Sequence, residues 1–132
     1  MIKPSFLSEL VLKAIPPDDW ELVEPLSYRT YVKNEKGNVI KVPVGEHTDL
    51  ASLPRAVRFF ISQNGRHRAA AVLHDRLYRR AGKVRYTRKQ ADQVFLEAMK
   101  VSGVPWWKRQ AMYQGVRIGG WVVYNKYLKA NT

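Results

Sequence analysis

The chain contains no cysteine, so neither a disulfide framework nor a thiolate metal site is available to it. That fits a reducing compartment or a fold that needs no covalent staple. Long apolar runs are absent as well. The stretch from Phe6 to Ala14 is broken by Ser8, Glu9 and Lys13, which argues against a secretory leader or a membrane span beginning there, and no transmembrane segment is expected. Negative charge is scarce, with 11 Asp and Glu against 23 Lys and Arg, a formal charge of +12. Such a field attracts nucleic acid, a phospholipid surface or an acidic protein, and names no function by itself. What the chain does have is 132 residues, 45% of them apolar, enough to bury one core and too few for a second full domain. A single domain over residues 1–132 is expected.

The pattern of apolar residues changes near residue 50. Before it they alternate with polar residues, and after it they fall at helical spacing. The expected fold class is α+β: a small N-terminal antiparallel β-hairpin or sheet over about residues 16–48, then three to four packed helices over about 52–128. Trp20 to Tyr31 reads as one strand interrupted at Pro25, and Asn38 to Val44 as its partner across the turn Asn34 to Gly37. The proline in each places both at an edge or keeps them short. Pro16, Pro17, Asp18 and Asp19 form a turn. Pro54 opens a short helix to Ile61, with Ser52 as its cap. A second helix spans His67 to Arg80 and stops at Gly82. Thr87 and Gln90 make a capping box for a third, ended by Gly103 and Pro105. The last runs from about Pro105 to Leu128, with Ala111, Gly115 and Gly119 on one stripe that admits close approach. Trp106 and Trp107 cannot both face its core stripe, so one of them is expected at the surface.

The residues most able to carry chemistry lie in the second helix. Helical spacing puts His74 on a face with Ala70, Leu77 and Tyr78, with Arg68, Arg76, Arg79 and Arg80 on the wet side and Asp75 at the border. An inward histidine beside a carboxylate can serve as a general base acting on water. In the third helix Asp92 flanks the stripe Ala91, Val94, Phe95 and Ala98, while Glu97 falls on the solvated side. Packed against the second helix, Asp92 would face His74 and Tyr78, leaving Asp75 to hold a cation. The plainer alternative is a satisfied core histidine. A second cluster, Gly45 to Arg55, contains His47, Asp49, Ser52 and Arg55, the ingredients of an oxygen-ligand or oxyanion-binding loop. Taken alone it reads better as a turn in which Asp49 and Ser52 cap the next helix.

Five motifs in order carry a resemblance: Thr48-Asp49-x-Ala51-Ser52-x-Pro54-Arg55, Ala70-Ala71-x-x-His74-Asp75-x-Leu77-Tyr78, Ala91-Asp92-x-x-Phe95-x-x-Ala98-Met99, Gly103-Val104, and Met112-Tyr113-x-x-Val116-Arg117-x-x-Gly120-Trp121. Over roughly residues 20 to 125 the chain resembles the phage and prophage domain-of-unknown-function family number 1353. That implies a phage or prophage origin, production in the host cytoplasm, association with a virion and other phage proteins as partners. The helix pattern over about residues 69 to 99 is similar to the catalytic helix pair of the phospholipase A2 superfamily, especially its disulfide-free viral members. The similarity implies His74 as the base that activates water, Asp75 as a Ca²⁺ ligand, and Tyr78 with Asp92 as the groups that orient His74. The glycine-rich calcium loop of those enzymes is not recognisable here. Asp49 or His47 would then complete a site for a different divalent metal, such as Zn²⁺ or Mn²⁺.

Three functions follow as expectations. One is a metal-assisted hydrolase acting on a lipid ester or another anionic envelope component, drawn to that surface by its charge. Another is a non-enzymatic virion or tail accessory protein in which His74, Asp92 and Tyr78 form a structural network. The third, less favoured because no base-reading motif is recognisable, is a nucleic-acid-binding module using Trp106, Trp107, Lys108, Arg109 and the second helix's Arg76, Arg79 and Arg80.

Overall fold

The computed structural model describes residues 3–17, 19–49, 53–57 and 65–132. The chain divides into two compact units, Met1–Asp49 built from strands and Leu50–Thr132 built from helices. The charge divides with it. The helical unit holds 17 Lys and Arg against three acids, Asp75, Asp92 and Glu97, whereas the strand unit has six against eight.

The strand unit contains β1 (Ser5–Phe6), β2 (Leu12–Ile15), β3 (Asp19–Leu22), β4 (Leu26–Thr30), β5 (Asn38–Val42) and β6 (His47–Thr48). They form two antiparallel three-stranded sheets, in the orders β1-β4-β5 and β2-β3-β6. The expected hairpin is β4–β5, in register with Tyr28 opposite Ile40 and Leu26 opposite Val42. Alternation along β4 buries Leu26, Tyr28 and Thr30, the period-2 pattern of a half-buried strand. At its turn the Asn34 side chain accepts from the Lys36 amide at 3.0 Å, and Gly37 takes a φ of +81°, which a side chain would resist.

Trp20 to Tyr31 is not one interrupted strand, because β3 and β4 belong to different sheets and Pro25 lies between them. These strands are short, as expected, at four or five residues; β5 lies at an edge, whereas β3 and β4 are central. The prolines bound the strands, Pro25 just before β4 and Pro43 just after β5, so they remove no ladder donor. Two short strands, β1 and β2, lie in the stretch before the Pro16-Pro17 turn and were not expected as strands.

The helical unit has α1 (Gly65–Arg79), α2 (Arg88–Val101), α3 (Trp106–Gly119) and α4 (Trp121–Ala130). Residues 55–57 are also helical, as expected after Pro54; the rest of that short helix and its cap Ser52 lie outside the described residues. The α2 capping box is present, with the Thr87 side chain accepting from the Gln90 amide at 3.1 Å and the Gln90 side chain accepting from the Thr87 amide at 2.9 Å. Gly82 and Gly103 have φ near +82° and +81°, which suits them to end α1 and α2. The core is drawn from the inner faces, including Ala70, Leu73, Leu77, Val94, Phe95, Met99 and Met112.

The expected long last helix is divided at one residue, Gly120, whose own φ and ψ remain helical. Close approach along its small-residue stripe does occur. A side chain at Gly115 would meet Val57 Cγ2 at 2.7 Å, and one at Gly119 would meet Pro54 Cγ at 3.0 Å. Both tryptophans at the start of α3, not one, are exposed, each at 65%.

Candidate functional site

The side chains of His74, Tyr78 and Asp92 meet in the interior of the helical unit. His74 and Tyr78 are four residues apart on α1 and therefore share a face, and Asp92 enters from the first turns of α2. His74 Nε2 lies 2.7 Å from Asp92 Oδ1, and the Tyr78 hydroxyl donates to that same oxygen at 2.6 Å. Phe95 closes over the imidazole with ring centroids 5.0 Å apart, and Tyr78 stacks on it at 4.1 Å. All three polar residues have 0% exposure.

The other carboxylate oxygen faces two cations. Arg117 Nη1 on α3 donates to Asp92 Oδ2 at 2.7 Å, and Arg88 Nη1, one turn before Asp92 on α2, reaches it at 3.4 Å. Arg88 also donates to the carbonyls of Val116 and Arg117 at 3.2 and 3.3 Å, tying the start of α2 to the last turn of α3. A buried carboxylate without such donors would be costly, so these arginines are what allow an ionised Asp92 to sit beneath the surface. Burial, reinforced by the Asp92 charge, pushes the Tyr78 phenol far above its ordinary value, so it remains a neutral donor throughout the physiological range. Tyr124 packs edge-on against Tyr78 at 5.1 Å, and its own phenol is raised first by burial.

Gly120 makes room for this arrangement. A Cβ there would fall 2.6 Å from the Tyr78 hydroxyl and 2.5 Å from the Val116 carbonyl oxygen. We therefore expect Gly120→Ala to destabilise the protein by about 1–3 kcal/mol through overpacking. Thermal denaturation checks this, and an unchanged midpoint would show that the space is not needed.

Asp75 is buried, not at the border of the helix. Its Oδ2 is 2.9 Å from Arg79 Nε, one turn along α1. Among the described residues no group of three or more His, Asp or Glu side chains converges as a metal site requires. Asp75 Oδ2 faces the Arg79 guanidinium, and no catalytic step below passes through a metal ion.

The loop candidates are drawn from both units. His47 and Asp49 belong to the strand unit, Arg55 is an exposed residue of the helical unit, and Ser52 lies outside the described residues. His47 on β6 pairs with β3, its Nδ1 2.6 Å from Asp19 Oδ2 and its Nε2 3.1 Å from Glu21 Oε1. The hydrogen bond to Asp19, helped by the negative charge of Asp19 and Glu21, raises the imidazole above its usual 6.5. A raised value means the pair stabilises the fold fully below the unfolded histidine value and loses that contribution as pH rises through the folded value. An NMR titration should place the His47 midpoint above 6.5, and Asp19→Asn should return it toward 6.5. A midpoint unmoved by Asp19→Asn would contradict the pairing.

Sequence comparison adds one result to this geometry. Residues 20–116 match the family described as "Protein of unknown function (DUF1353)". The chain belongs to that family. Searches of curated proteins and of solved structures gave no match. The matched span of the family includes His74, Asp75, Tyr78, Arg88 and Asp92 and ends at Val116, one residue before Arg117.

Arg117 and Arg88 were not identified as site residues from the sequence. For Arg88 a signal existed, its i,i+4 spacing to Asp92. For Arg117 the signal was its place in the Met112 to Trp121 motif, but nothing there pointed to Asp92, 25 residues away, which it reaches through the packing of α3 on α2.

Proposed function

We propose that the protein is a hydrolase of the His/Asp type, acting on an ester of an anionic lipid or another anionic envelope component. The observation that carries this reading is the bond from His74 Nε2 to Asp92 Oδ1 at 2.7 Å, with Tyr78 on the same oxygen. With Nε2–H donating to the carboxylate, the basic lone pair belongs to Nδ1. In the proposed reaction Nδ1 takes a proton from water as the water oxygen attacks the ester carbonyl. It returns the proton to the departing alkoxide when the tetrahedral intermediate collapses, leaving one carboxylic acid and one alcohol. Asp92 and Tyr78 orient the imidazole, and Asp92 stabilises the imidazolium that forms. The similarity of the helix pair to the phospholipase A2 superfamily supports this assignment of roles. A phage- or prophage-encoded protein made in the host cytoplasm is the proposed setting, on the motif resemblance alone.

A second reading is favoured by the complete burial of His74, Tyr78 and Asp92 and by the four donors that Asp92 receives. On that reading the network is structural: it selects one packing of α1, α2 and α3 in a non-enzymatic accessory protein. Fatty-acid release from ester-linked phosphatidylglycerol vesicles, with and without added Ca²⁺, Mn²⁺ or Zn²⁺, separates the two. Release by the wild-type chain supports the hydrolase, and its absence under every condition supports the structural network.

A further inference from the structure

The outer face of α3 and α4 carries a stripe of apolar side chains in contact with solvent. Trp107, Ala111 and Ile118 recur at helical spacing along α3, with the polar Gln114 between them, opposite the buried Met112 and Val116. Because Gly120 keeps a helical conformation, the same stripe continues into Trp121 and Val122 at the start of α4. Exposure is high where the side chains are largest: 65% for Trp107, 75% for Ile118 and 53% for Trp121. Scattered exposed hydrophobes need no explanation, but two tryptophans and an isoleucine aligned on one helical face form a patch that water disfavours.

The segment that bears this patch carries charge of one sign only. From Ala98 to Thr132 the sequence has six Lys and Arg and no Asp or Glu, and Lys126 and Lys129 are exposed on α4. An anionic bilayer matches both features, since tryptophan settles at the level of the headgroups while lysine and arginine engage their phosphates.

We infer that the Trp107–Ile118–Trp121 face of α3 and α4 is the surface by which the protein docks on an anionic lipid bilayer. No helix among the described residues is long and apolar enough to cross a membrane, so the docking is peripheral, with the helices lying along the interface. The inference gives the proposed hydrolase access to a lipid substrate, but it does not require His74 to be catalytic.

The test is flotation of the full-length protein with vesicles of ether-linked phosphatidylglycerol, which no esterase can degrade, compared with ether-linked phosphatidylcholine. Binding should favour the anionic vesicles by at least about tenfold and fall as salt is raised. Trp107→Ser with Trp121→Ser should weaken it by a further factor of about ten or more, with an unchanged melting temperature because both side chains are exposed. Unaltered binding by the double variant would overturn the inference, as would no binding to either vesicle. Concentration-dependent self-association of the wild type that is lost in the double variant would overturn it too, by assigning the face to a second copy of the chain. Because the lipids are not hydrolysable, an absence of esterase activity leaves this result unaffected.

Discussion

Asp92→Ala is expected to lower stability by about 3–5 kcal/mol, the largest effect of any single substitution in the helical unit. The carboxylate receives His74 and Tyr78 on one oxygen and Arg117 and Arg88 on the other. Removing it leaves a buried hydroxyl and imidazole without their acceptor and brings two guanidinium groups together with no counter-charge. For a domain of this size the loss corresponds to a fall in melting temperature of roughly 10–20 °C. Asp92→Asn distinguishes charge from volume. Its carbonyl can still accept from His74 and Tyr78, but its amide then faces Arg117 donor to donor, so it should fall between wild type and alanine. If Asp92→Ala melted within a degree or two of wild type, the network would contribute little to the fold and the description of Asp92 as its centre would be wrong.

His74→Gln is the second large effect, and it acts on rate. Glutamine can place an amide N–H near the position of Nε2 and keep the bond to Asp92, but it has no titratable lone pair where Nδ1 stood. Loss of a general base costs about 10²–10⁴ in rate, so the variant should release fatty acid at least a hundredfold more slowly than wild type. Its melting temperature should fall by only a few degrees, because the Asp92 acceptor stays paired. This separation of rate from stability is what a structural network would not produce. Activity in the glutamine variant equal to wild type would remove His74 from the chemistry even if the protein proved to be an esterase.

The helical unit was the more legible in sequence, for reasons visible in particular residues. Thr87 and Gln90 specify the start of α2 locally, and i,i+4 spacing alone puts His74 and Tyr78 on one face. The meeting of that pair with Asp92 followed from two amphipathic helices joined by a short glycine-containing connection. Arg117 did not follow, because its contact is set by where α3 lies on α2, and no local pattern encodes a 25-residue separation. The burial of Asp75 was missed because a charged residue one step from the apolar face reads as a border position, whereas pairing with Arg79 at 2.9 Å lets it go inside. In the strand unit, elements of two to four residues such as β1, β2 and β6 are too short for alternation to be read, and Pro25 marked a change of sheet, not a defect in one strand.

Hydrolysis in ¹⁸O-labelled water tests the central claim most directly. If His74 activates water against an ester carbonyl, phosphatidylglycerol vesicles incubated with the wild-type protein should yield fatty acid carrying one ¹⁸O and lysolipid carrying none, and His74→Gln should abolish both products. Unlabelled vesicles recovered intact from the wild-type incubation, or product formed equally by His74→Gln, would contradict it.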